Sequence, residues 1–150
     1  MTDGISTLEV DGFRNAVNGH TLNTILALVT DDVAIQDEFG GARSGKSVFG
    51  QFFKNWFGGF PNMTVAPRAT TIQGWSAVVE VTVTGTNTGQ LTLPDGQVLA
   101  ATNRSVKLEG AWALRFNSAG KLAGLRIYNN PSKLLAQLGV ATTATGTTPP

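Results

Sequence analysis

Asp37 is one of the few ionisable residues that adjoin an apolar segment of the sequence. It ends a short segment, residues 33–37, whose alternation predicts a strand. An apolar cavity raises the pKa of a carboxyl group, so Asp37 in such a cavity would be a candidate catalytic general base. The alternative is that Asp37 is the solvated end of that strand.

A second polar set lies on the last predicted strand, residues 121–130, where Arg126, Tyr128 and Asn130 share one face. These side chains could hold a water molecule for hydrolysis, with Tyr128 as a catalytic residue. Two alternatives stay open. The set could point into a dimer interface, and Asn130 could instead cap a helix that begins at Pro131.

Aromatic side chains could form a binding surface for a ligand. Phe53 and Trp56 recur at helical spacing in one segment, and Trp112 lies on the apolar face of a predicted strand. Such residues usually belong to a core, but on a cavity wall they would suit a flat hydrophobic ligand. The predicted ligand contacts are Phe53, Trp56, Trp112, Leu125, Ile127 and Asn130.

The composition argues against several classes of function. The chain has 150 residues and a formal net charge of +1, which disfavours nucleic acid or an anionic membrane as partner. It has no cysteine and one histidine, His20, so it cannot form a disulfide or a metal site of several histidines. No segment has the length of a membrane span, and a cytoplasmic protein is the expectation.

Apolar periodicity predicts the elements that position these residues. Helices are predicted at residues 6–18, 21–29 and 46–57, and strands at residues 33–37, 63–73 and 75–84. The first helix is expected to bury Leu8, Phe13, Ala16 and Val17. Residues 85–98 are expected to be a loop, with a turn at Pro94-Asp95-Gly96. Residues 1–139 form one predicted domain, and residues 140–150 are predicted to be a disordered C-terminal tail.

The clearest pattern is a hairpin near the end of the chain. The even positions are apolar at residues 106–116, and the odd positions are the more apolar ones at residues 121–130. One register brings both apolar faces together, and its pairs are Trp112 with Ile127, Leu114 with Leu125, and Phe116 with Ala123. A short helix from Pro131, stopped by Gly139, follows.

Helices that precede a cluster of strands indicate an α+β fold. The strands are joined by tight hairpins, which favours an antiparallel sheet. Such a sheet, once curved, wraps around the N-terminal helices and leaves an internal cavity.

Four segments resemble the SnoaL-like polyketide cyclases of the nuclear transport factor 2-like superfamily. They read NAVNGHTLNTILALVTDDV, SGKSVFGQFFKNWFGGFPNMTV, VVEVTVTGTNTG and AWALRFNSAGKLAGLRIYNNPSKLLAQLG. The resemblance implies a cone-shaped α+β barrel and a homodimer packed through the outer face of the sheet. It also implies an intramolecular aldol closure of a polyketide ester that needs no cofactor.

The residues expected to carry that reaction are replaced in this chain. The family's last strand has a histidine and, two residues later, an aspartate, and these positions are Leu125 and Ile127 here. Other polar family positions fall at Trp112, Asn87 and Asn130. Leucine, isoleucine and tryptophan cannot exchange a proton as an acid or a base, so the resemblance predicts a hydrophobic cavity floor.

Three functions therefore stay open. The first is a SnoaL-like cyclase or isomerase that acts on a hydrophobic, polyketide-like small molecule with the usual histidine–aspartate pair replaced. The second is a non-catalytic protein that binds a hydrophobic small molecule. The third is a relative of the limonene epoxide hydrolases, which belong to the same superfamily.

Overall fold

The computed structural model describes residues 4–92 and 96–140. The helices are α1 (Thr7–Asn18), α2 (Leu22–Leu26), α3 (Lys46–Gly59) and α4 (Pro131–Leu138). The strands are β1 (Val29–Asp37), β2 (Gly41–Ser44), β3 (Thr64–Gln73), β4 (Ser76–Thr86), β5 (Leu91–Thr92), β6 (Val98–Leu99), β7 (Ser105–Phe116) and β8 (Leu122–Tyr128). Residues 94 and 95 of the predicted turn and residues 141–150 of the predicted tail lie outside the described residues.

The predicted fold class, an α+β cone with a curved sheet around the N-terminal helices, is confirmed. Six strands form one sheet in the order β2-β1-β8-β7-β4-β3, and its inner face packs against α1 and α3. The sheet is not wholly antiparallel, because β1 runs parallel to β8. A separate two-stranded sheet joins β5 and β6, within the segment predicted to be a loop.

The predicted hairpin register is confirmed at its centre. Trp112 pairs with Ile127 and Leu114 pairs with Leu125. The predicted pair of Phe116 with Ala123 is wrong, because a bulge after Arg115 pairs Phe116 with Leu122 instead. The inner face at Trp112 and Leu114 is therefore the buried one, as the alternation predicts.

Helix α1 begins with a capping box. Ser6 Oγ accepts a hydrogen bond from the backbone N–H of Leu8, and Glu9 Oε1 accepts from both the backbone N–H and the hydroxyl of Ser6. The hydrogen bonds from Ser6 lower the pKa of Glu9 below its ordinary value. The buried side of the helix includes Val10. Burial of Leu8 was a wrong prediction, since Leu8 is two residues from Val10, points to the other side and is 80% exposed.

The start of β1 departs from the predicted element boundaries. Residues 21–29 were predicted as one helix, but α2 ends at Leu26 and Val29 already belongs to β1. Asp31 and Asp32 are exposed within the strand instead of closing a helix. Val29 pairs with Leu122 of the last strand. This tertiary contact makes Val29 part of a strand, although the local sequence pattern is helical.

The remaining helices follow their predicted patterns closely. Helix α3 extends through Gly58 and Gly59 before its cap at Phe60, and it buries Phe49, Phe52 and Phe53. Helix α4 begins after Asn130, whose Oδ1 accepts from the backbone N–H groups of Ser132 and Lys133, and Gly139 ends it with a φ of 74°. Within residues 4–92 and 96–140, no helix is both long and apolar enough to cross a bilayer.

Candidate functional site

A partly open cavity lies between α3 and the inner face of the sheet. The centre of a water molecule could occupy a volume of about 60 Å³ within it. A smaller hollow of about 30 Å³ shares Trp112, Ile127 and Asn129 with it and extends to Gly110. The cavity wall is mostly apolar, and its polar lining residues are Asp37 and Asn129. This concave, apolar space with two polar groups is the candidate site.

The aromatic residues predicted to line a cavity do so. Phe53 and Trp56 contribute from α3, together with Phe52, and Trp112 contributes from β7. The Trp112 ring packs 5.9 Å from Phe13 of α1, measured between ring centroids, which fixes the tryptophan against the core. Ile127 lies opposite Trp112 on β8 and lines the same cavity. The predicted hydrophobic floor is thus formed by Trp112 and Ile127.

Among the described residues that line the cavity, Asp37 is the one with an ionisable side chain. Its side chain is 3% exposed, and Oδ1 accepts hydrogen bonds from Arg43 Nη2 at 2.7 Å and from the Gly40 backbone N–H at 2.8 Å. No described residue donates to Oδ2. The carboxylate is therefore anchored through one oxygen by a guanidinium and a backbone amide, while its other oxygen remains available to a ligand.

The local sequence explains why the Asp37 carboxylate can be held so tightly. β1 and β2 form an antiparallel pair in which Asp37 lies opposite Gly41, and the turn between them includes Gly40. Gly41 has a φ of 68°, a conformation that glycine adopts without strain. This tight turn brings Arg43 back alongside Asp37. The guanidinium carbon of Arg43 also lies 5.9 Å from the centroid of Phe52, which lines the cavity.

Asn129 is the functional candidate that the sequence analysis missed. It directly follows β8, and as an odd-numbered residue it continues the inner face of Leu125 and Ile127. Gly110 on β7 makes room for this segment, because a Cβ at Gly110 would clash with the carbonyl oxygen of Tyr128 and would lie 3.3 Å from Cβ of Asn129. Its Oδ1 is buried and has no hydrogen-bond partner among the described residues. A glycine on the otherwise apolar face of residues 106–116 was the available signal.

Three predicted site residues lie away from the main cavity. Leu125 is buried in the core. Tyr128 is 45% exposed, and its hydroxyl accepts a hydrogen bond from Arg126 Nε at 3.1 Å. Asn130 caps α4. The structure therefore does not bring the Arg126–Tyr128–Asn130 set to the cavity, and the capping alternative for Asn130 is the one observed.

Asn87, where the resemblance implies another polar residue, has a structural role. It is 0% exposed, and its Nδ2 donates to the carbonyls of Gly59 at 3.0 Å and Gly89 at 2.9 Å. Its Oδ1 accepts from the backbone N–H and the hydroxyl of Thr102, both at 2.9 Å. These hydrogen bonds fasten two loop segments to the end of α3, outside the cavity lining.

Comparison with known proteins places the fold among polyketide cyclase-like structures. A candidate polyketide cyclase from Pseudomonas putida KT2440 has a TM-score of 0.69 and 25% identity, with 94% of this chain and 99% of that chain covered. A candidate polyketide cyclase from Xanthomonas campestris pv. campestris has a TM-score of 0.75 and 21% identity, with 88% and 95% covered. The epoxide hydrolase/cyclase-like enzyme SalBIII, of pyran ring formation in the polyether salinomycin, has a TM-score of 0.70 and 17% identity, with 85% and 92% covered.

Sequence comparison defines the family more directly than these structural likenesses. No curated protein matches the chain significantly. Residues 10–125, more than half of the chain, match the family described as the SnoaL-like domain. That range contains most of α1, all of α3, Asp37 and Trp112, so it includes most of the cavity wall. The chain belongs to the SnoaL-like domain family.

Proposed function

We propose that this protein is a cytoplasmic, cofactor-independent enzyme of the cyclase or isomerase type that acts on a hydrophobic, polyketide-like small molecule. Asp37 is the proton acceptor in this proposal. The observation that carries it is the carboxylate at the apolar cavity, with Oδ1 held by Arg43 and Gly40 and Oδ2 without a donor among the described residues. A carboxylate held in this way is positioned to take a proton from an activated C–H group of a bound ligand.

The roles of the surrounding residues follow from their contacts. Arg43 orients the Asp37 carboxylate through its hydrogen bond to Oδ1, while Phe52, Phe53 and Trp56 exclude water from the ligand. Trp112 and Ile127 provide the apolar floor in place of the histidine–aspartate pair that the resemblance implies. In this proposal one carboxylate takes the proton and returns it to a second position of the ligand, which is the balance that an isomerisation or an intramolecular closure requires.

An Asp37→Asn variant tests the proposal. The amide keeps nearly the same size and cannot accept the proton, so turnover is expected to fall about 100-fold or more while ligand affinity changes little. Turnover of a panel of aromatic polyketide esters and ketones is measured alongside binding of the same compounds. Equal turnover by the wild-type and Asp37→Asn proteins would contradict the role of Asp37. Glu38→Gln is the matched control, and we expect it to keep wild-type turnover because Glu38 is exposed and lines neither the cavity nor the smaller hollow.

A non-catalytic binding protein is the alternative function. It is favoured by the single ionisable residue among the described residues of the cavity lining, because many acid–base enzymes use two such groups. Tight binding of aromatic ligands with no turnover in either the wild-type or the Asp37→Asn protein would support this alternative.

An epoxide hydrolase-like activity has weaker support. The likeness to SalBIII favours it, but Arg126, Tyr128 and Asn130 do not line the main cavity. Hydrolysis of an epoxide in ¹⁸O-labelled water would place the label in a diol. Absence of labelled diol across a set of cyclic epoxides would exclude this activity for those compounds.

We also propose a homodimer formed through the outer face of the sheet. Val78 is exposed there, and Glu109 and Arg115 lie on β7 without an ion pair among the described residues. In a two-fold dimer centred near Trp112, Glu109 of one protomer would meet Arg115 of its partner. Sedimentation should show that Glu109→Arg and Arg115→Glu each weaken the dimer, and that the double variant restores it. A monomeric wild-type protein at micromolar concentration would contradict the proposal.

A further inference from the structure

The carboxamide of Asn129 is the unsatisfied polar group of the cavity. Its Oδ1 is buried, and neither Oδ1 nor Nδ2 has a hydrogen-bond partner among the described residues. A buried amide oxygen without a donor is destabilising, and such groups in folded proteins often belong to binding sites. Rotation of the amide by 180° exchanges its donor and its acceptor, so in either orientation the buried hydrogen-bonding atom of this cavity-lining residue lacks a partner among the described residues.

The neighbours of Asn129 provide no such donor. Trp112, Ile127 and Leu108 contribute apolar wall, and Gly110 has no side chain. The other polar lining residue, Asp37, is a carboxylate and can only accept a hydrogen bond when ionised. No described residue of the cavity lining therefore supplies a donor to Asn129 Oδ1, and a bound ligand or a water molecule has to supply it.

The charge around the cavity restricts the kind of ligand that can supply this donor. Arg43 already pairs with Asp37 through Nη2, so its charge is largely compensated at the cavity. An anionic head group would meet the Asp37 carboxylate, and like charges repel strongly in an apolar space. A cationic head group would lose its hydration against a wall of tryptophan, phenylalanine and isoleucine with one compensated carboxylate. An uncharged donor is the group that fits both restrictions.

We propose that this cavity binds an uncharged ring compound bearing a hydroxyl group, and that Asn129 Oδ1 accepts the hydrogen bond from this hydroxyl. The inference rests on the proposed function in one respect, namely that the same cavity receives the ligand. It makes Asn129 a residue that determines ligand specificity and leaves proton transfer to Asp37.

Two probes of nearly equal size isolate the hydrogen bond. 4-Methylphenol carries the hydroxyl, and 1,4-dimethylbenzene replaces it by a methyl group. Both have a single ring, which suits a small cavity. Trp56 and Trp112 line the cavity, so binding can be followed by the change in tryptophan fluorescence and checked by calorimetry.

The decisive comparison is between wild-type and Asn129→Leu proteins. Affinity for 4-methylphenol is expected to fall about tenfold in the variant, and affinity for 1,4-dimethylbenzene is expected to stay within about twofold. Asn130→Asp is the matched control, because aspartate keeps the cap of α4 at the adjacent position. This control is expected to bind both probes as the wild-type protein does. Should Asn129→Leu fail to fold, Asn129→Val replaces it with the same expected result.

Several outcomes would overturn the inference. Equal losses for the two probes would mean that Asn129 shapes the cavity without recognising a hydroxyl. Unchanged affinity for both would mean that its carboxamide binds only water. Binding of neither probe to the wild-type protein would overturn the inference together with the ligand site itself. By contrast, unchanged turnover in Asp37→Asn would overturn the catalytic proposal alone and would leave the selective loss in Asn129→Leu intact.

Discussion

Two asparagines, Asn87 at the end of α3 and Asn129 at the cavity, show how differently one residue type is used in this molecule. Asn87 is fully buried, and every polar atom of its side chain is bonded to Gly59, Gly89 or Thr102. Asn129 also has a buried Oδ1, but no described residue bonds its carboxamide. Saturated hydrogen bonding marks a group that holds the fold, whereas an unsatisfied group beside a cavity marks one available to a ligand.

The Asp37–Arg43 pair is intermediate between these two cases. One carboxylate oxygen of Asp37 is fixed by Arg43 and Gly40, as in a structural ion pair, and the other has no described donor. Asp37 therefore stabilises the fold through Oδ1, while Oδ2 remains available to a ligand in the cavity. Substitutions at these three places should have effects on stability that differ in size and in sign.

The largest effect is expected for Asn87→Leu. The change removes four side-chain hydrogen bonds at a buried position, and the Gly59 carbonyl keeps only the N–H of Gly89 at 3.4 Å. The free energy of unfolding should therefore fall by about 3–5 kcal/mol. Urea denaturation measures this loss. Asn117→Ala is the matched control, since Asn117 Oδ1 accepts from the N–H groups of Ala119 and Lys121 at an exposed turn. A loss in Asn87→Leu no greater than in Asn117→Ala would refute the structural role of Asn87.

An intermediate effect is expected for Arg43→Met. It leaves the buried Asp37 carboxylate without its cation and should lower the free energy of unfolding by about 2 kcal/mol. This value is below that for a fully buried pair because the Arg43 side chain is 26% exposed. The double variant Asp37→Asn/Arg43→Met should recover part of the loss in the same denaturation experiment. Additive losses would show that the two side chains are not coupled.

The smallest effect, of opposite sign, is expected for Asn129→Leu. Replacing an unsatisfied buried amide by an apolar group of similar size should raise the free energy of unfolding by about 0.5–1 kcal/mol. Thermal unfolding followed by circular dichroism measures it. Asn130→Ala removes the cap of α4 and should instead lower stability by about 1 kcal/mol. A clear loss of stability in Asn129→Leu would mean that Asn129 stabilises the fold as Asn87 does. It would contradict the distinction between the two asparagines.

The sequence predicted the parts of the molecule that depend on local alternation. The pairing of Trp112 with Ile127 followed from a period of two on both strands, and the resemblance to the SnoaL-like cyclases added the prediction of an apolar cavity floor there. For Asn130, the helix cap before Pro131 was one of two open predictions, and the structure shows the cap rather than the predicted ligand contact. These features require only neighbours along the chain or one hairpin, and such short-range rules are reliable where the pattern is long.

Features set by contacts distant in sequence could not be predicted in this way. Val29 reads as the end of a helix until its pairing with Leu122 is known. The ion pair of Asp37 with Arg43 depends on a tight turn that carries little pattern of its own. The position of Asn129 at the cavity was not predicted, because Asn129 lies just after the end of β8 and has no sequence signal of its own. The adjacent Asn130 has a clear one, since it precedes the proline that begins α4.

The parallel pairing of β1 with β8 has a consequence for how the chain acquires its structure. Ile35 of β1 pairs with Leu125 of β8. A strand near the start of the chain therefore cannot complete its pairing until one of the last strands has been synthesised. Contacts of such long sequence separation slow folding, since a large loop must close before they form. During synthesis the first strand should remain unpaired along this edge until the ribosome has released the final hairpin. A nascent chain arrested before residue 120 is therefore expected to be protease-sensitive at β1.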